Sequence, residues 1–137
     1  MRDFRKLMVW QKAHALSIDA HRTLASRRRH GTAASRNQLL RAIASIPANI
    51  AEGCGKRSDT EFARYLDIAL GSVKETENHL LFARDMGWLE DGTFIVFDER
   101  LTEVRRMLFS LSRVMRLRGE GTVRREAGEL GDGSEGR

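Results

Sequence analysis

Ser58-Asp59-Thr60-Glu61-Phe62-Ala63-Arg64-Tyr65-Leu66 opens the most strongly signalled helix of the chain, and with it an all-α fold. The first four residues form an S-x-x-E capping box. The serine hydroxyl accepts from the third helical amide, and the glutamate reaches back to the cap amide. Behind the box Phe62, Leu66, Ala69, Val73, Thr76, Leu80 and Ala83 run in phase down one helical face, flanked by Tyr65 and Ile68. Gly87 supplies the stop. Gly71 sits mid-helix, where glycine costs about 1 kcal/mol relative to alanine; close approach of a neighbouring helix is the expected reason for it.

Three further helices follow from apolar spacing on either side. The first runs from about Leu7 to Ser26, with Val9, Ala13, Leu16, Ala20 and Thr23 as its buried face and Trp10, His14, Ser17, His21 and Leu24 as the adjoining stripe. The second runs from about Ala33 to Gly53 on the stripe Leu39, Ile43, Ile46 and Ile50. Pro47 lies inside that stripe and removes a backbone donor, which predicts a kink between Ile43 and Pro47 within a continuing helix. The fourth opens near Asp98 and carries Leu101, Val104, Leu108, Leu111 and Met115 as far as Arg118. Between the third and fourth, Asp91-Gly92 reads as a turn and Phe94-Ile95-Val96-Phe97 as a hydrophobic lid on one end of the bundle. Residues 119–137 hold six glycines and only Val123 and Leu130 as large apolar side chains, so they read as a disordered tail. The expectation is an antiparallel up-down-up-down four-helix bundle over residues 1–118, with the tail over 119–137.

Composition agrees. Hydrophobic residues make up 41% and charged residues 31%, as in soluble globular proteins. A single proline argues against a turn-rich β fold. No apolar run approaches the roughly 20 residues that span a bilayer, and no signal-peptide core follows the N-terminus, so no membrane partner and a cytoplasmic setting are expected. One cysteine, Cys54, excludes an internal disulfide and a cysteine-based zinc cage.

Chemical motifs are few, and each has a plainer reading. Gly53-Cys54-Gly55-Lys56-Arg57-Ser58 fails as a phosphate loop, because Arg57 stands where Ser or Thr must follow Gly-Lys and no strand precedes it. No Glu has His three residues later, so the di-iron pattern of helical bundles is missing; Glu75 and His79 read as a surface ion pair. His14 and His21 stand two turns apart, about 10 Å, too far to share a metal, and read as partly buried flank residues. Cys54 lies near a helix C-terminus, which disfavours a thiolate nucleophile. Arg41, Ser45, Asn49 and Glu52 share one side of the second helix and read as a polar network bracing the proline. No cofactor, metal or catalytic set is expected.

The basic residues are the best functional lead. The charge is +5 overall, and residues 1–57 carry twelve Lys and Arg against three acids. In an up-down bundle one end gathers Arg2, Arg5, Lys6, Lys56, Arg57, Arg113, Arg116 and Arg118; Arg27, Arg28 and Arg29 fall at the other. Such clusters neutralise phosphates; a basic half beside an acidic segment also fits mutual neutralisation within a bundle or oligomer. Surplus apolar side chains, with Trp10 and Tyr65 the chosen candidates and Ile68, Trp88 and Phe109 beside them, suggest a subunit interface.

Val9-Trp10-Gln11-Lys12-Ala13, Ser45-Ile46-Pro47-Ala48-Asn49-Ile50-Ala51-Glu52-Gly53 and Glu61-Phe62-Ala63-Arg64-Tyr65-Leu66, followed by Ile68-Ala69-Leu70-Gly71-Ser72, resemble the four-helix-bundle proteins of the 23S ribosomal RNA intervening-sequence family. The match in order and spacing runs from about Leu7 to Leu89. The resemblance implies a bacterial bundle that assembles as a ring-like homo-oligomer, a pentamer. It also implies similarity to the accessory protein of diversity-generating retroelements, a basic pentamer that associates with a reverse transcriptase and nucleic acid. It carries over no catalytic residues; the motif positions Arg41, Pro47, Asn49, Glu52, Gly53 and Gly71 read as structural. The expected function is therefore non-enzymatic: binding of structured RNA or DNA through basic ends, with a protein-interaction scaffold as the alternative.

Overall fold

The computed structural model describes residues 2–25 and 33–132. Four helices follow a short 3-10 turn, Phe4–Lys6: α1 (Met8–Ala25), α2 (Ala33–Cys54), α3 (Asp59–Asp85) and α4 (Asp91–Asp132). No strand occurs among the described residues. Cross-helix contacts show that neighbours run antiparallel. Asp67 on α3 meets Ser112 and Arg116 on α4, while Arg84, late in α3, lies over the Phe94 ring near the start of α4. Lys12 and Asp19 of α1 pair with Glu103 and Arg100 of α4 at 2.8 and 2.7 Å, in opposite order along the two helices.

The capping box forms at one of its two ends. The Ser58 hydroxyl accepts from the Glu61 amide at 3.1 Å. At the other end of α3, Gly87 takes φ +74°, its amide donates to Arg84, and the Trp88 amide donates to Ala83 at 2.8 Å. This is a Schellman stop, and it returns Trp88 against Phe82 with ring centroids 5.6 Å apart. The α3 face named above is buried as a unit: Phe62, Leu66, Ala69, Val73, Thr76, Leu80 and Ala83. It packs on Leu16 of α1, Ile43, Ile46 and Ile50 of α2, and Leu101, Val104 and Leu108 of α4.

α2 continues unbroken through Pro47. The polar line on this helix is only partly a network. The Ser45 hydroxyl donates to the Ala42 carbonyl at 2.6 Å, and the Asn49 amide donates to the Ser45 carbonyl at 2.8 Å. Arg41 and Glu52 stand exposed and take no part.

Three expectations need correction. Asp91, Gly92 and the Phe94–Phe97 run are the first two turns of α4, not a turn and a lid, and Asp98 lies inside the helix. Phe94 and Phe97 extend the Leu101–Val104–Leu108 stripe backwards at helical spacing and are buried, while Ile95 and Val96 face out. The fourth helix also passes Arg118 and runs to Asp132. The sparse apolar content of that segment shows instead as exposure: residues 122–130 are all exposed, on a projection of about 20 Å. Residues 133–137 of the expected tail lie outside the described residues.

The third correction concerns glycine. Gly71 is exposed, and a Cβ there would meet nothing within 4 Å, so no helix approaches it. The close approaches fall at Gly53, where a Cβ would lie 2.8 Å from Tyr65 Cβ and 2.9 Å from the Phe62 ring, and at Gly119, where it would collide with Thr60. We expect Gly71→Ala to raise the melting temperature, by up to about 1 kcal/mol of helix propensity. Gly53→Ala should lower it, because overpacking costs about 1–3 kcal/mol. Thermal unfolding followed by circular dichroism reads both.

Candidate nucleic-acid interface

The basic end is assembled by Arg2. Its amide donates to the Cys54 carbonyl at the end of α2 at 3.0 Å. Its guanidinium pairs with Asp59 in the first turn of α3, lies 4.5 Å over the Phe62 ring and donates to the Met115 sulfur of α4 at 3.4 Å. One residue thus ties the N-terminal arm to α2 through its amide and to α3 and α4 through its side chain.

The expected cations divide by whether a carboxylate already holds them. Arg2 is held by Asp59, Arg116 by Asp67, and Arg5 by Asp3 at 3.0 Å. The Asp3 carboxyl is held below its usual range by the Arg5 side chain and amide, and Arg5 is raised in turn. Lys6, Lys56, Arg57, Arg113 and Arg118 make no ion pair among the described residues. Lys56 and the unanticipated Arg64 flank the Tyr65 ring, each at 5.0 Å. Arg118 lines a cleft of about 560 Å³ with Arg2, Asp59, Thr122 and Arg125. Arg125 was hidden in the segment read as a tail. Its signal was its spacing, seven residues past Arg118 and therefore on the same helical face. Arg27, Arg28 and Arg29 lie outside the described residues.

The two interface candidates are engaged within the chain. Trp10 stacks on His14 at 4.6 Å and meets Phe4 edge-on at 4.9 Å. Tyr65 packs its Cβ against Gly53 between the two cations. His14 and His21 are exposed rather than partly buried; the His21 Nδ1–H donates to the Ser17 carbonyl at 2.7 Å, which fixes its ring on its own helix. Glu75 and His79 approach to 3.6 Å, with Glu75 exposed and His79 half-buried. Among the described residues no three His, Cys, Asp or Glu side chains gather as a metal site, and no helix is long and apolar enough to cross a membrane.

Cys54 is buried, and burial pushes its thiol up despite the opposing Arg2 charge. Above the ordinary thiol range of about 8.5 the unfolded chain ionises and the folded chain does not, so stability falls as pH rises through that range. We expect alkylation by iodoacetamide at about pH 8 to be slow in the native protein and fast in denaturant. Equal rates would show that the thiol is accessible in the fold.

An antiparallel helical bundle with unpaired cations at one end is the class defined by this geometry. The chain belongs to the 23S rRNA-intervening sequence protein family, whose sequence model matches residues 5–110. Its fold is similar to the crystal structure of a protein of unknown function from the S23 ribosomal protein family of Bacteroides thetaiotaomicron. That likeness has a TM-score of 0.69 at 24% identity, over 77% of this chain and 98% of the other. Among curated proteins no relative matches.

A prediction separates structural from free cations. Arg2→Ala should destabilise the protein by about 1–2 kcal/mol, through loss of a part-buried ion pair and a cation–π contact. Arg57→Ala, which breaks neither, should stay within about 0.5 kcal/mol of the parent. Chemical denaturation compares the two.

Proposed function

We propose that this protein is a non-catalytic RNA-binding bundle that contacts the phosphate backbone through its basic end. The observation that carries the reading is the group of cations there without a carboxylate partner: Lys6, Lys56, Arg57, Arg64, Arg113, Arg118 and Arg125. Backbone contacts of this kind position a duplex and read little sequence. The Arg118–Arg125 cleft lies at the root of the α4 projection, so a bound backbone would run from the bundle end onto that helix.

The test is fluorescence anisotropy with a structured RNA across a salt series, using duplex DNA for comparison. Affinity should fall with salt at a slope of about 0.9 per phosphate neutralised. Arg57→Glu, Arg113→Glu, Arg118→Glu and Arg125→Glu combined should lower affinity by at least about tenfold while circular dichroism stays unchanged. An unchanged affinity would sink the reading and turn attention to a protein partner docked on the basic surface.

We also propose self-association, supported by an apolar groove between α1 and α4. Leu7, Met8, Met107, Leu111 and Val114 line it, with Met8 61% and Val114 48% exposed. This surface suits a second copy better than Trp10 or Tyr65, whose rings are already occupied. Light scattering should give a multiple of 15.6 kDa, five-fold by the family resemblance. Met8→Asp with Val114→Asp should reduce that mass; a single-chain mass for the parent would refute assembly.

A further inference from the structure

The α4 projection carries a short apolar line of its own. Val123, Ala127 and Leu130 follow the i, i+4, i+7 spacing of one helical face. All three are exposed, Val123 at 61% and Leu130 at 82%. At about 100° per residue this face lies on the far side of the helix from Arg118 and Arg125, which line the cleft with Arg2 and Asp59. The projection thus turns its cations toward its own bundle and its apolar line away from it.

This segment has little reason of its own to be helical. Gly121 and Gly128 lower its helix propensity, and a Cβ on either would meet nothing within 4 Å, so packing inside the chain does not call for glycine there. Helices in water draw most of their stability from packing an apolar face. Here that face is free, and the packing is left for another molecule to supply.

The groove between α1 and α4 is a matching seat of about 540 Å³. Its α4 wall, Met107, Leu111 and Val114, repeats the i, i+4, i+7 spacing, so ridge and groove are both about 10 Å long. Charge agrees with shape. Arg106 is the one charged residue that lines the groove among the described residues, and it makes no ion pair there. Glu120 and Glu126 stand about 60° to either side of Val123 on the projection, exposed and equally without an ion pair among the described residues. The projection cannot fill its own groove. Val114 and Val123 are nine residues apart on one helix, about two and a half turns, and so face opposite sides.

We propose that the α4 projection of a second copy occupies this groove. The inference rests on the self-association proposed above and names the segment that performs it. Ridge and groove are different surfaces, so the contact is head-to-tail. Each copy gives its projection to one neighbour and receives that of the other, which closes a ring where the rotation per copy allows.

The test uses the full chain. Val123→Asp with Leu130→Asp alters two exposed positions and should reduce the light-scattering mass to 15.6 kDa, while circular dichroism shows the bundle still folded. Leu111 and Ala127 are the midpoints of groove and ridge, so they meet whichever way the projection runs. A chain with both Leu111→Cys and Ala127→Cys, oxidised with glutathione disulfide, should give a ladder of covalent multimers on a non-reducing gel. The two positions lie about 24 Å apart along α4, too far for a bond within one chain, and Cys54 is buried. Either substitution alone should stop the ladder at two chains. If the parent assembles, the aspartate variant keeps its mass and no ladder forms, the inference is overturned and self-association through the groove stands. A lowered mass without a ladder overturns the groove as the seat of the projection. A parent of single-chain mass overturns both readings.

Discussion

The ring of Phe62 occupies the space that a side chain on Gly53 would fill, and the basic end of the molecule is arranged around that contact. Phe62 is fully buried. Gly53 lets α2 come close enough for the α2–α3 turn to be short, and the guanidinium of Arg2 then caps the far side of the ring. From that position Arg2 reaches Asp59 and Met115. The N-terminal arm, the α2–α3 turn and the later part of α4 are brought together by packing first and by charge second.

That order bears on how the positive charge is used. The held cations, Arg2, Arg5 and Arg116, cannot turn to an outside phosphate without leaving Asp59, Asp3 or Asp67 unpaired. The cations left over sit around them on the α2–α3 turn and along α4. An end whose charge is partly neutralised keeps its local structure while the surplus stays in water, where long Lys and Arg side chains cost little to rearrange around a ligand.

α4 shows how a helix can outlast its reason for burial. Up to Met115 it is held by the core, and at Gly119 it passes against Thr60 with no room for a Cβ. Beyond the cleft that Thr122 and Arg125 share with Arg2 and Asp59, it stands exposed through Leu130. No proline stands in its way, and the segment continues as helix with no apolar face hidden in its own chain. Its charged side chains are left to solvent, which suits a surface that meets another molecule.

Sequence alone determined the helices of the core: the Ser58 cap, the Gly87 stop and the stripe from Phe62 to Ala83 are local signals with a fixed period. The passage of α2 through Pro47 was legible for the same reason, since its apolar positions stay in phase. The sequence misplaced the start of α4 because Phe94-Ile95-Val96-Phe97 is too short a run to show whether its period is two or near four; only burial of the first and last of these residues settles that. The bundle's tertiary structure decided which glycine matters and which cation is free. Gly53 was expected at the end of α2 and Gly71 in the middle of α3, but only Gly53 faces a neighbouring ring. Arg2 and Asp59 stand 57 residues apart, and Arg116 and Asp67 stand 49 apart. Pairing across such distances follows from how the helices pack, which no local pattern records.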